Sequence, residues 1–255
     1  MSSIPKLLKF KDYVTLSGTI LGVIALILAG IGNRGTISLG FFLISFCMGI
    51  DLIDGYIARK TGTVNEMGKH LDSLSDSLTF GITPALLTYM AFSTGQWFDS
   101  ILLIGCILFV LGAILRLARF NLSIEKGYSG LPTPLSALLV LIFYFANYYL
   151  VIASGDINAY FPELSYYFIP FGLILLAWLN ITTFIKFKEK SRTTYIVVII
   201  FGPLSPILGI IGVSNPPALL AFLIFLFFII SFFSFIIWIL IYPLIRKILK
   251  KQAKE

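Results

Sequence analysis

The sequence is poor in charge. Asp, Glu, Lys and Arg make up 12% of its 255 residues, whereas soluble domains carry roughly 25%. Hydrophobic residues make up 58%, and a disordered chain has too few apolar residues to reach such a composition. An ordinary soluble domain and an intrinsically disordered segment are therefore both excluded, and the composition favours a membrane protein.

Cysteine and histidine are also scarce. Cys47 and Cys106 lie inside apolar runs, and His70 is the single histidine. Disulfide scaffolds and structural zinc sites need several such residues at short, regular spacings. Neither a disulfide framework nor a zinc cluster is expected.

Long apolar segments, by contrast, fill most of the sequence. A helix needs about 20 apolar residues to cross a bilayer, and eight segments approach or exceed this length. They lie near residues 13–31, 36–58, 70–94, 99–118, 133–153, 164–185, 193–212 and 217–243. We therefore predict an all-α fold, a polytopic membrane helix bundle with about eight transmembrane helices.

The basic residues orient this bundle. If the N-terminus is cytoplasmic, every Lys and Arg except Arg34 falls in a cytoplasmic segment, as the positive-inside rule requires. The net charge of +7 is then a signal of topology, and nucleic acid is not an expected partner. We expect an integral protein of the cell membrane with both termini in the cytoplasm.

Four aspartates stand out because ionisable groups inside membrane spans are costly. Asp51 and Asp54 lie in the last turns of the second predicted span, and Asp72 and Asp76 lie in the first turns of the third. These two spans run antiparallel, so the carboxylates are expected at one depth near the cytoplasmic face. A single aspartate there is usually a solvated cap, but two facing pairs are hard to explain as packing.

A divalent cation would relieve the repulsion between these carboxylates. Ligation by oxygen alone suits Mg²⁺, Mn²⁺ or Ca²⁺. Gly55 and Ala58 leave the same helix face bare for an anionic ligand, and the guanidinium of Arg59 can bind phosphate. The pattern predicts a metal and diphosphate site that opens to the cytosol.

The same residues carry a family resemblance. From Asp51 to Asp76 the sequence follows D-x₂-D-G-x₂-A-R-x₈-G-x₃-D-x₃-D, with all eight fixed residues present. In this it resembles the CDP-alcohol phosphatidyltransferase family, and the resemblance covers residues 10–190. Members of that family transfer a phosphatidyl group from a CDP-linked lipid to an alcohol and release CMP.

The resemblance implies roles for individual residues. Asp51, Asp54, Asp72 and Asp76 would hold two divalent cations per site, and Asp76 would also be the catalytic base. The residues implied at the CDP-lipid site are Gly55, Ala58, Arg59, Gly68, Asn65, Asp12 and Thr15. The resemblance also implies a homodimer in the lipid bilayer.

Further segments resemble the phosphatidylserine synthase branch of the family, at residues 79–85, 116–121 and 130–134. Ser77 stands where the inositol-phosphate and glycerophosphate branches usually have a basic residue. This resemblance implies L-serine as the acceptor and CDP-diacylglycerol or CDP-archaeol as the donor.

The residues available for the serine carboxylate are Arg116, Arg119 and Asn121. Either arginine could equally be a topological anchor whose side chain reaches lipid phosphates.

Two alternatives stay open. Another acceptor, such as glycerol 3-phosphate or an inositol phosphate, would keep the same chemistry. A cation transporter would instead use the aspartates to bind its cargo. For the organisation of the chain we predict a six-helix catalytic unit at 1–190, with a short N-terminal interfacial segment, and an additional helix pair with a basic tail at 191–255.

Overall fold

The computed structural model describes residues 7–61, 66–122, 128–183, 186–187, 207–208, 211, 214 and 216–252. This part of the chain is helical apart from one pair of two-residue strands. The principal elements are α1 (Phe10–Ile31), α2 (Arg34–Thr61), α3 (Glu66–Asp76), a π-helical turn (Ser77–Ile82), α4 (Thr83–Phe92), α5 (Asp99–Leu122), β1 (Tyr128–Ser129), α6 (Thr133–Ala153), α7 (Glu163–Ile181), β2 (Lys186–Phe187) and α8 (Ala218–Gln252).

Six of these helices are long and apolar enough to cross a membrane. They are α1, α5, α6 and α7 in full, Arg34–Gly55 of α2, and Ala218–Ile241 of α8. This confirms a polytopic helical membrane protein. The count of eight stays a prediction, because most of the predicted span at 193–212 lies outside the described residues.

The predicted span at 70–94 is helical but divided into α3, the π-helical turn and α4. The backbone N–H of Thr83 donates to the carbonyl oxygen of Leu78, which is the i→i−5 bond of a π-helix. The hydroxyl of Thr83 donates to the same oxygen at 2.9 Å. The widened turn begins directly after Asp76.

Small residues allow α1 to approach its neighbours closely. The buried face of α1 carries Gly18, Gly22, Ala25 and Ala29 at helical spacing, and this face packs on α2 and α3. A Cβ added at Gly22 would lie 2.2 Å from Cγ2 of Thr79. Such small-residue faces are typical of helix contacts in membranes, where close backbone approach provides the packing energy.

Helix α6 lies at the centre of the bundle, and nearly all its residues are buried. Helix α8 packs along it, with the Phe145 and Phe228 rings stacked 5.6 Å apart. On the other side, α5 packs against α7, where Gly105 and Gly112 face the backbone of Pro170 and Ala177. The division at residue 190 stays a prediction.

The helices from α1 to α7 run up and down in six passes, counting α3, the π-helical turn and α4 as one. We call the end that holds Asp51 and Asp76 the aspartate end, and the opposite end, where Arg34 begins α2, the far end. Helices α2, α5 and α7 finish at the aspartate end, and α1, α3 and α6 start there. Six helix termini therefore surround the aspartates.

Candidate active site

Three of the four predicted aspartates converge. Asp51, near the end of α2, meets Asp72 and Asp76 of α3, and one carboxylate oxygen from each lies within 4.8 Å of the others. Asp76 is buried, at 8% exposure, and Asp51 and Asp72 are half-buried. Three acidic groups this close repel one another, and a divalent cation with oxygen ligands would offset that repulsion.

Asp54 lies beside this group and is held by α1. Its Oδ2 accepts a hydrogen bond of 2.6 Å from the hydroxyl of Thr15, and both side chains are buried. The Thr15 hydroxyl also lies 3.3 Å from the carbonyl oxygen of Lys11. The structure thus brings Thr15, a predicted CDP-lipid residue, into contact with a predicted metal ligand.

A small cavity of about 10 Å³ separates these side chains. Asp51, Asp54 and Asp76 line it together with Thr15 and Ser75. A space of about 10–15 Å³ holds one water-sized particle. The donor set and the size of this space both fit a small cation with oxygen ligands.

Two buried, positively charged side chains interact with the carboxylates. Arg116 of α5, at 5% exposure, interacts electrostatically with Asp72 and Asp76, and Lys11 of α1 interacts with Asp54 and Asp72. Lys11 also forms a 2.9 Å ion pair with Asp12. The positive-inside pattern explained Lys11 by membrane topology alone, so the interaction of Lys11 with the carboxylates was not predicted. The adjacent Lys-Asp pair at the start of a span was the sequence feature that could have indicated it.

Hydrogen bonds fix α3 between α1 and α5. The hydroxyls of Thr19 and Ser75 are 2.7 Å apart. On the other side, Asn121 donates its amide to Ser73 at 2.8 Å, and the ammonium of Lys69 donates to the Asn121 carbonyl at 2.9 Å. The helix that carries Asp72 and Asp76 is thereby held on two sides.

The remaining residues predicted at the CDP-lipid site are described in part. Gly68 is buried on α3, and Gly55 is half-buried on α2. Asp12 is buried and accepts a 2.7 Å bond from the backbone N–H of Lys9. The side chains of Ala58 and Arg59, and all of Asn65, lie outside the described residues.

The three residues predicted at the acceptor site differ in their surroundings. Arg116 faces the aspartates and donates from Nη1 to the hydroxyl of Thr133 at 3.1 Å. Arg119 instead donates to backbone carbonyls, at 2.5 Å to Ser129 and 2.6 Å to Ile181. Asn121 binds α3 through Ser73, and its buried Oδ1 has no hydrogen-bond partner within the part of the chain that the structure describes.

Arg119 therefore serves as a clamp at the aspartate end. Its carbonyl partners belong to β1 and to the end of α7, and Gly130 between them has a φ of 86°. A Cβ at Gly130 would lie 2.1 Å from the carbonyl oxygen of Asn180, so only glycine fits this turn. The side-chain amide of Asn180 and the hydroxyl of Ser129 are buried here and have no hydrogen-bond partner among the residues described, and neither residue was predicted from the sequence.

Comparison with known proteins gives this arrangement its context. A model of the CDP-alcohol phosphatidyltransferase family matches residues 11–184, a range that holds all four aspartates, Lys11 and both arginines. The chain is 42% identical over 143 residues to a CDP-diacylglycerol–serine O-phosphatidyltransferase of Methanocaldococcus jannaschii. It is 35% identical over 127 residues to an archaetidylserine synthase of Methanothermobacter thermautotrophicus.

These two matches cover 56% and 48% of the chain, and 64% and 53% of the respective relatives. The chain thus spans less than two thirds of their lengths. A longer match, at 28% identity over 196 residues, covers 75% of the chain and 79% of a CDP-diacylglycerol–serine O-phosphatidyltransferase of Helicobacter pylori. With the family match extending over most of the sequence and over the converging aspartates, the chain belongs to the CDP-alcohol phosphatidyltransferase family.

Proposed function

We propose that the protein transfers a phosphatidyl or archaetidyl group from a CDP-linked lipid to the hydroxyl of L-serine and releases CMP. The observation that carries this proposal is the group of three carboxylate oxygens within 4.8 Å of one another at one end of a membrane helix bundle that belongs to this family. The names of the relatives supply the acceptor, because all three are serine enzymes by name.

The aspartates would hold divalent cations, Mg²⁺ or Mn²⁺ before Ca²⁺, two per site. Asp51, Asp72 and Asp76 would be ligands as a group, and Asp54 would join them from its position beside Thr15. When bound, such cations neutralise the charge of the diphosphate. Gly55, which has no side chain, would let that diphosphate approach the backbone of α2.

Asp76 is proposed as the general base. The serine oxygen forms a bond to the phosphorus of the lipid phosphate, the bond from that phosphorus to the CMP oxygen breaks, and the hydroxyl proton moves to the carboxylate of Asp76. An ordinary carboxylate is a weak base for an alcohol, so the proton has to move late in the reaction. The buried position of Asp76 removes competing water from this transfer.

Arg116 is the acceptor residue that the geometry favours. Its guanidinium is buried beside Asp72 and Asp76, so a carboxylate bound to it would place a serine hydroxyl near the proposed base. A guanidinium binds a carboxylate in a fork geometry. The donors of Arg119 are directed to backbone carbonyls, which makes it the weaker candidate. Asn121 would act through α3.

The wider arrangement follows from the same proposal. Eight transmembrane helices with both termini in the cytoplasm would put the aspartate end at the cytosolic face of the cell membrane, where serine and CDP-lipid headgroups meet. Residues 1–190 would form the catalytic unit, with 191–255 as an added helix pair, in a homodimer. CDP-diacylglycerol and CDP-archaeol differ in their apolar tails, so either would serve as donor to this site.

The experiment is a CMP-release assay on the purified full-length protein with CDP-diacylglycerol or CDP-archaeol, Mg²⁺ or Mn²⁺, and a panel of acceptors. We expect release with L-serine and only background release with glycerol 3-phosphate or an inositol phosphate. With serine, Asp51→Asn should reduce release to background because it changes a proposed metal ligand, whereas Lys9→Gln, changed at an exposed lysine, should release CMP as wild type does. Release with a phosphorylated acceptor but not with serine would change the acceptor, and no release with any alcohol would refute the enzyme.

A further inference from the structure

A second polar cavity lies at the far end of the bundle. Its volume is about 200 Å³, and it is enclosed by the turn between α1 and α2, the end of α4, the middle of α6 and the segment that leads into α7. Arg34 at its wall and Asp51 are 17 positions apart on α2, which is about 25 Å of helix. The cavity is therefore separate from the aspartate site.

Arg34 contributes a buried donor to this cavity. Among the described residues, its buried Nη1 atom has no hydrogen-bond partner and Arg34 forms no ion pair. The guanidinium carbon lies 4.2 Å from the centroid of the Phe161 ring. A guanidinium can stack on an aromatic ring and still direct the N–H groups at its edge to a ligand.

Tyrosine side chains add neutral donors. The Tyr166 hydroxyl accepts a 3.1 Å bond from the backbone N–H of Phe161 and so keeps its own proton for a further acceptor. Tyr160 lies at the exposed rim, and Tyr144 lines the deep side. No Asp or Glu is among the described residues that line the cavity.

The position of Arg34 at the wall of this cavity indicates an anionic ligand. Arg34 is half-buried at the first residue of a membrane span, where burying a charge without a partner is costly, and it is the basic residue that does not fit the positive-inside pattern of the sequence. Topology therefore does not explain it. A fork of N–H donors together with a tyrosine O–H matches the tetrahedral oxygens of a phosphate.

We propose that this cavity binds a phosphate group, with the edge of the Arg34 guanidinium and the Tyr166 hydroxyl as its donors. The phosphate belongs either to the headgroup of a membrane lipid or to a free phosphate compound. Aromatic and aliphatic walls, including Phe161 and Met90, favour the lipid, whose glycerol carbons would pack against them.

The test uses the full-length protein in a neutral detergent with a chelator, so that no divalent cation occupies the aspartate end. The thermal unfolding midpoint is followed during titration with dihexanoyl phosphatidic acid, with inorganic phosphate, and with uncharged dihexanoylglycerol. We expect saturable stabilisation by phosphatidic acid and none by the uncharged lipid. The apparent dissociation constant should rise at least tenfold in Arg34→Gln, and it should stay within twofold in Lys9→Gln, which removes one positive charge at the other end.

The arms of the titration separate the two sources. Stabilisation by phosphatidic acid alone identifies a lipid headgroup, and equal stabilisation by inorganic phosphate identifies a free phosphate compound. Absence of saturable stabilisation by either probe would overturn the proposal. So would a phosphatidic acid affinity that is the same in Arg34→Gln and Lys9→Gln.

A second measurement needs no variant and decides the matter if Arg34→Gln does not fold. A short-chain phosphatidic acid that carries a photoreactive diazirine is bound to the wild-type protein, irradiated, and located by peptide mass spectrometry. Labelling of residues 34–37, 90–93 or 160–166 is expected, and excess unlabelled phosphatidic acid should suppress it. Labelling spread over the lipid-facing surfaces of α1 and α5, without suppression, would refute the site.

Discussion

Asp76→Asn should make the metal-free protein more stable. The substitution keeps the size of the side chain and removes one negative charge from a group of three carboxylates. Burial disfavours a negative charge on Asp76, Asp51, Asp72 and Asp54 repel it, and Arg116 attracts it. In the absence of metal, repulsion therefore dominates at this position, and a neutral amide should be preferred.

The distances set the size of the effect. Two unit charges 4.8 Å apart, the largest separation in this group, repel by about 3.5 kcal/mol at an effective dielectric constant of about 20. Asp76 has two such neighbours, so fully charged carboxylates would repel it by about 7 kcal/mol with the same constant. Attraction to Arg116 and proton uptake by the carboxyls reduce this, and we expect a net gain of about 1–3 kcal/mol, within the usual range for single substitutions.

The assay is thermal unfolding of the full-length protein in detergent, first with a chelator and then with Mn²⁺. For a chain of this size, about 2–4 °C accompanies each kcal/mol, so the midpoint of Asp76→Asn should rise by about 2–12 °C in chelator. A saturating cation stabilises the folded state by about 3 kcal/mol at a hundred times its dissociation constant. Wild type should gain this stabilisation from Mn²⁺, and Asp76→Asn should gain little or none.

Asp156→Asn is the matched control. Asp156 is exposed in the loop after α6, and asparagine keeps the oxygen that accepts the N–H of Asn158, so its midpoint should move by less than about 2 °C and its response to Mn²⁺ should equal that of wild type. A lower midpoint for Asp76→Asn than for Asp156→Asn in chelator would show that the carboxylates do not repel as the geometry requires. An undiminished response of Asp76→Asn to Mn²⁺ would remove Asp76 from the metal ligands.

Gly22→Ala should lower the unfolding midpoint, since overpacking costs about 1–3 kcal/mol. Gly30→Ala on the same helix, where a Cβ meets nothing within 4 Å, should be neutral or stabilising. Equal midpoints for the two variants would contradict the close packing of α1. Thr15→Val should raise the KM for CDP-lipid about tenfold, which corresponds to the loss of one buried hydrogen bond of about 1.4 kcal/mol. Thr15→Ser keeps the hydroxyl and should restore the KM. A KM unchanged in Thr15→Val would show that this hydrogen bond does not contribute to binding of the CDP-lipid. Arg116→Gln should raise the KM for serine at least tenfold, with a smaller change in the KM for CDP-lipid. Arg119→Ala should lower the unfolding midpoint and leave the KM for serine within twofold of wild type. The opposite pattern in steady-state kinetics would exchange the two roles.

The sequence predicted which carboxylates converge better than it predicted the residues that contact them. Asp51, Asp72 and Asp76 were predictable because helical spacing places them on facing surfaces of two consecutive spans, and their convergence confirms that expectation. Family membership is likewise confirmed. The contact between Thr15 and Asp54 depends on how deeply α1 packs, which follows from the small residues at Gly18 and Gly22 but has no signature in the aspartate pattern itself.

The roles of the basic residues were harder to predict, because charge alone does not say where a long side chain ends. Lys11 and Arg116 turn inward and balance the aspartates, whereas Arg119, three residues after Arg116, turns to backbone carbonyls. Arg34 occupies a cavity that residues from four separate parts of the chain enclose. Contacts of this kind arise from tertiary packing, so the local periodicity of the sequence does not predict them.

The π-helical turn after Asp76 rotates the faces of the helix within one membrane crossing. In an uninterrupted α-helix, Thr83 would lie seven residues beyond Asp76, about two full turns, and would share its face. The extra residue accommodated by the wider turn rotates α4 by about 100° relative to α3, and Thr83 instead lies within 3.4 Å of the Gly22 carbonyl on α1. Because Ser75 and Thr79 also face α1, one continuous segment can present carboxylates to the proposed reaction in its first half and stay in contact with α1 through the π-helical turn into its second.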